Sequence, residues 1–198
     1  MAYPASLTFK HQATSSRWWA LGTMFGIKSI SLIPHFFLLF FLQLAAMVVM
    51  IIGIFAVLFT GRYPQGMENF VIGVAKWGWR VCSFYMCLSD KYPPFTMKDV
   101  DNPAVLNFQH QEKSSRLMAV LTLIPVKYFM LIPHIFVMII LEIAAAFSIF
   151  IGIFAVLFIG RYPQCFENAV VRFFNYGFRV QAYFMCLTDQ YPPISWKA

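Results

Sequence analysis

The residues of this chain that are able to do chemistry come in pairs, 99 positions apart. His11 and His110, His35 and His134, and Cys87 and Cys186 are such pairs, and the chain has no other histidine. With eleven methionines also present, a copper or haem site is the chemistry they would suggest. Two histidines facing each other at similar depth in a helix bundle, as His35 and His134 would by pseudo-symmetry, could hold such a group. No His-x-x-x-His spacing supports it, however. A histidine following a proline at the start of an apolar helix is better read as sitting at headgroup level, so no metal or cofactor is expected. Cys82 and Cys165 are unmatched, and no Cys-x-x-Cys occurs. The cysteines therefore read as buried small apolar residues, not as zinc ligands or a disulfide framework.

The matched charges are Arg62 with Arg161, Arg80 with Arg179, Glu68 with Glu167, and Asp90 with Asp189. An Arg80–Asp90 or a Glu68–Arg62 pair would satisfy charges at an interface, and the sequence does not choose between them. The arginines could instead hold a lipid phosphate or another anion. No nucleophile-plus-base arrangement or paired catalytic carboxylates can be read, so no enzyme is expected. Gly78 and Gly177 lie among aromatic residues that include Trp77 and Tyr176, where another helix or a lipid could approach closely. Arg62, Arg80, Trp77, Gly78, Arg161, Arg179, Tyr176 and Gly177 are thus the candidate lipid or partner contact.

The elements that position these residues are written twice. Shifted by 99 positions the chain lies on itself without a gap, and 47 of the 99 facing positions are identical. Ile52 to Phe59 followed by Gly61-Arg62-Tyr63-Pro64-Gln65 returns as Ile151 to Phe158 followed by Gly160-Arg161-Tyr162-Pro163-Gln164. Two domains follow, 1–99 and 100–198. Hydrophobic content is 60%, charged content 12% and mean hydropathy +0.68, against about 25% charged in soluble proteins. The chain therefore reads as an integral membrane protein, and its polar first residues show no signal peptide. A net charge of +7 spread beside apolar blocks favours anionic lipid headgroups over nucleic acid.

Each repeat has four parts. A short alternating piece, 6–9 and 105–108, could be a strand. His-Gln-x-x-Ser-Ser-Arg then offers serine N-caps to an interfacial helix over roughly 16–31 and 115–130. An uninterrupted apolar block, 30–60 and 129–159, forms one long tilted membrane helix, a hairpin that enters and returns, or a span whose return is the 66–88 segment. Gly-Arg-Tyr-Pro marks a turn into an amphipathic helix over 66–88 and 165–187, which tandem prolines then stop. The expected fold class is an all-α membrane protein of two tandem parallel repeats.

Charge sets the expected topology. Three Lys and Arg precede the first block, eight lie between the blocks and four follow the second. One crossing per block would leave seven on one side and eight on the other, with no bias. An even number of crossings per repeat restores a positive inside and puts both termini in the cytoplasm.

At Leu-Ile-Pro-His, Phe-Ala-Val-Leu-Phe-x-Gly-Arg-Tyr-Pro and Asp-x-Tyr-Pro-Pro the chain resembles a bacterial membrane family catalogued as domain of unknown function 4389. The resemblance spans nearly the whole of both repeats. It implies a membrane-embedded domain, sometimes in tandem, in the bacterial inner membrane. It implies no activity, cofactor or catalytic residue. The family pattern often carries a glycine at the block centre, where Leu44 and Ile143 stand here. The functional expectation is a non-enzymatic accessory or scaffold subunit that packs against a larger membrane complex and contacts membrane lipids. Lipid binding or membrane shaping through basic interfacial helices is the alternative, and a metal or haem redox subunit stands behind it.

Overall fold

The computed structural model describes residues 3–124 and 126–194. The elements in chain order are β1 (Ala5–Phe9), α1 (Arg17–Met24), α2 (Ile27–Thr60), α3 (Gln65–Tyr85), β2 (Ala104–Phe108), α4 (Arg116–Leu123), α5 (Val126–Ile159) and α6 (Gln164–Phe184). The molecule is mostly helical, but it is not all-α. The alternating pieces at the head of each repeat are strands, and they pair with each other. β1 and β2 run antiparallel, with Leu7 facing Leu106 at the centre of the register and Ala5 facing Phe108 at one end. This pairing places a pseudo-two-fold axis through the middle of the ribbon. A two-stranded ribbon is marginal alone. Here β1 packs on α6 and β2 on α3, and the Asn175 side chain accepts a hydrogen bond from the Leu7 amide at 2.9 Å.

The apolar block is a single helix in each repeat. α2 and α5 each run 34 residues without interruption, about 50 Å, so the hairpin alternative is corrected. With Leu44 and Ile143 at the block centre, no glycine or proline is present there to break the ladder. The expected interfacial helix is shorter than read. α1 and α4 span eight residues each, and Gly26, at φ 74°, turns the chain directly into α2.

Pro34 and Pro133 lie inside the long helices, near their starts. A proline there removes one backbone bond and crowds the preceding turn. The Tyr-Pro-Pro tyrosines bond the crowded turn one residue past the carbonyls of Ile30 and Phe129 that the prolines leave unpaired: Tyr92 donates to the Ser31 carbonyl and Tyr191 to the Met130 carbonyl, each at 2.8 Å. Leu-Ile-Pro-His and Asp-x-Tyr-Pro-Pro are thus two halves of one packing unit.

The repeats are interlocked. α1 packs on α5 as well as on α2, and α4 packs on α2. Ser114 donates its amide to the Gly61 carbonyl at the end of α2, and Ser15 donates to the Gly160 carbonyl at the end of α5. Each long helix therefore ends beside the entrance to the other repeat. Ser114 is held at the end of α2 by its bond to Gly61, and from it the chain reaches the start of α5 through the eight-residue α4, a span of roughly 30 Å at most. Two helices of about 50 Å linked this way at both ends cannot run side by side in one direction. They cross at a wide angle or oppose each other.

Both helices are also long and apolar enough to cross a membrane. Only 17% and 22% of their most apolar windows is buried, whereas the core helix of a soluble protein would be mostly covered. The exposed apolar face of α2 runs its whole length, from Ile27 to Phe59.

Candidate functional site

The polar side chains retained in both repeats converge on the seam between them, forming a clasp. Gly61 and Gly160 adopt the left-handed conformation (φ 73° and 78°) that ends a helix. The tyrosines that follow, Tyr63 and Tyr162, fold back onto their own long helices and press their hydroxyl ends against Gly53 and Gly152. A Cβ at either glycine would fall well inside van der Waals contact with the ring. Burial pushes both phenols up beyond the ordinary tyrosine range, so they stay neutral.

Pro64 and Pro163 then open α3 and α6, placing Glu68 and Glu167 in the first turn, where the helix N-terminus favours a carboxylate. Neither glutamate meets an arginine. His110 Nδ1 lies 2.8 Å from Glu68, and His11 Nδ1 lies 2.7 Å from Glu167, each histidine coming from the other repeat. Both carboxylates are 4% exposed. Burial raises them above the ordinary glutamate value, and the histidines partly offset that rise. Asp90 and Asp189 do not pair with arginine either. Each accepts the backbone amide at the head of its own repeat's entry helix, Ser16 at 2.6 Å and Ser115 at 2.7 Å. The serines are N-caps by position, with no side-chain cap bond; the aspartates serve instead.

Arg80 is 3% exposed and donates to the carbonyls of Lys76, Thr96 and Lys98. Its counterpart Arg179, 8% exposed, donates to the Ala5 carbonyl and lies under the Tyr3 ring. Trp77 and Tyr176 are buried too, each bonded to the histidine of its own repeat. Trp77 donates its indole N–H to His35 Nδ1 at 3.0 Å, and the Tyr176 hydroxyl bonds His134 Nδ1. The candidate contact surface is therefore not one surface. Arg80, Arg179, Trp77 and Tyr176 are interior, Arg62 and Arg161 are exposed at the helix ends, and Gly78 and Gly177 border a cavity.

The indole hydrogen bond occupies Nδ1 of His35. The second nitrogens, Nε2 of His35 and His134, are buried without a hydrogen-bond partner. The rings of Tyr92 and Tyr191 lie 5.1 and 4.9 Å, centroid to centroid, from the His35 and His134 rings, edge-on or tilted. Among the described residues no group of three or more His, Cys, Asp or Glu is arranged to hold a metal ion.

One pair was not anticipated from the sequence. Lys28 and Lys127 are fully buried, and among the described residues neither forms a salt bridge within 4.0 Å. Lys28 Nζ donates to the Phe84 carbonyl at 2.7 Å and to Cys87 Sγ at 3.4 Å, and Lys127 repeats this with Tyr183 and Cys186. Thr23 and Thr122 complete each sulfur site. Both cysteines sit at positive φ, 60° and 57°, at a helix end where glycine is usual. The signal was the joint retention of Lys, Thr and Cys in both copies.

Comparison with known proteins agrees with the duplication. A family model described as Domain of unknown function (DUF4389) matches residues 23–97 and again 124–195. No curated protein and no solved structure matches the chain.

Proposed function

The chain belongs to the DUF4389 family, twice over in tandem, and from that premise we propose that it is a non-enzymatic scaffold subunit of a bacterial inner membrane. The observation that carries this reading is the apolar face of α2 and α5, uncovered along the full length of both helices. Lipid accounts for part of that face, and a partner membrane protein for the rest. Most retained polar side chains are turned inward, and the Glu68–His110 and Glu167–His11 pairs lock the two halves, which leaves the outside as the working surface. From Ile27 to Phe59 the face is about 48 Å long, against a hydrocarbon core of about 30 Å. Burying all of it requires a tilt of roughly 50° or more, beyond the 0–40° usual for membrane helices. A wide crossing angle, one of the two arrangements the clasp leaves open, agrees with that tilt. With the two-fold axis along the membrane normal, both repeats sit the same way up and both termini face the cytoplasm. The test is purification in mild detergent with cross-linking beforehand: a defined membrane partner is expected to co-migrate, and a lone monomer under all conditions argues against a scaffold role.

Lipid recognition is the second reading, favoured by one observation. Arg62 and Arg161 are exposed beside the ends of the long helices, where they are free to meet anionic headgroups. Vesicle flotation that depends on anionic lipid and is lost in Arg62→Gln/Arg161→Gln would support it.

A further inference from the structure

Where the two repeats face each other, a cavity of about 680 Å³ opens between α2, α3 and α6, with Leu7 and Leu106 of the strand pair on its wall. Pockets of about 300–1,000 Å³ are the size that holds small-molecule ligands. This one exists because the copies diverged. Val74 and Ala75 line it from α3, while the facing positions of the other repeat are Phe173 and Phe174, whose rings reach the same space. Gly78 widens it further, since a Cβ there would meet nothing within 4 Å, whereas at Gly177 it would meet Met138 at 3.2 Å.

The lining carries no charged side chain. Its polar groups are the neutral amides of Gln43 and Gln181, both exposed toward the opening. Phe40, a neighbour of Gln43 on the wall, belongs to the uncovered apolar face of α2. A hydrocarbon chain lying along that face therefore has direct entry.

We propose that this cavity binds a neutral long-chain lipid, such as a diacylglycerol, with its chain against α3 and α6 and its carbonyl or hydroxyl groups at Gln43 and Gln181. A phosphate or carboxylate would meet no cation here and is excluded by the cost of burying unpaired charge. The site rests on the membrane reading above, and it also says which lipid the fold selects.

The experiment reconstitutes the full chain in lipid nanodiscs with a trace of either a diazirine-bearing diacylglycerol or a diazirine-bearing phosphatidylcholine. Cross-linked residues are then mapped by mass spectrometry. Gly78→Leu adds bulk at a cavity-lining position where a Cβ meets nothing within 4 Å, and Ala75→Phe copies the residue already found in the second repeat. The expected result is that diacylglycerol labels the α3 and α6 walls about tenfold more in the native chain than in either variant, the ratio a modest loss of binding free energy produces. Phosphatidylcholine should label the outer face of α2 in all three proteins and leave the walls largely unlabelled. Equal labelling of the walls by diacylglycerol in native and filled proteins overturns the site. Equal labelling of the native walls by both lipids overturns the selectivity for a neutral lipid. Should Gly78→Leu lose its helical circular dichroism, Ala75→Phe and the native two-lipid comparison still decide. Failure of the outer α2 face to label with phosphatidylcholine would instead count against the membrane reading itself.

Discussion

Buried lysines that form no salt bridge among the described residues define the residue scale. Lys28 has a carbonyl, a thiol and the Phe84 ring 4.4 Å away, so most of its stabilisation comes from contacts no charge count would find. Removing Cys87 leaves the ammonium short of a partner, and removing Lys28 leaves two acceptors unmet. Each single change, Cys87→Ala or Lys28→Met, is expected to destabilise by about 1–3 kcal/mol. Combined they should cost less than their sum, with a coupling of order 1 kcal/mol. Detergent-denaturation midpoints of the four proteins would measure this, and strict additivity would show that the two side chains do not interact. The buried glutamates give a pH test. Their folded values lie above the ordinary 4.5, so the native state holds its protons more tightly than the unfolded chain. The stability this supplies is fully present below 4.5 and is lost as the pH rises through the folded value. Thermal midpoints should therefore fall over that window, and Glu68→Gln/Glu167→Gln should flatten the fall. An unchanged slope would mean that other groups govern it.

Elements are joined here by motifs that look like separate features in the sequence. Gly53 and Tyr63 form a close contact within one repeat, and Gly53→Ala drives a methyl into the ring. The expected cost is about 1–3 kcal/mol, and the same change at Gly152 should cost a similar amount. A melting shift below a degree or two would refute the contact. The order of the elements was legible, but their types only in part: the alternating pieces sit inside an expected all-α class, the expected entry helix is too long, and helix or hairpin stays open for the apolar block. The partners were not legible. In a duplicated chain, a motif retained in both copies satisfies its bonds equally well within a repeat or across repeats, so a Glu–His or strand pair cannot be assigned from residue identity. His110 reaching Glu68, and β1 pairing with β2, are choices made by the three-dimensional closure of the two halves. The arginines misled for a related reason. Their retention marks a structural job on loop carbonyls as well as it would mark a surface site. The cavity was hidden because it lies in what differs between the copies, at Val74 and Ala75, and not in what they share.

On the scale of the whole molecule, the clasp ties the end of each long apolar helix to the head of the other repeat, and in the reading proposed above both halves enter the bilayer the same way up. The most direct test is thiol accessibility at two exposed polar positions, one in the head of each repeat. Lys10→Cys and Lys113→Cys would each be placed in a chain whose exposed native Cys165 is changed to serine. A membrane-impermeant maleimide is then applied to intact cells and to permeabilised ones. The account predicts that neither thiol reacts from outside and that both react once the membrane is opened. Reaction of only one of the two in intact cells would place the repeats on opposite sides and contradict it.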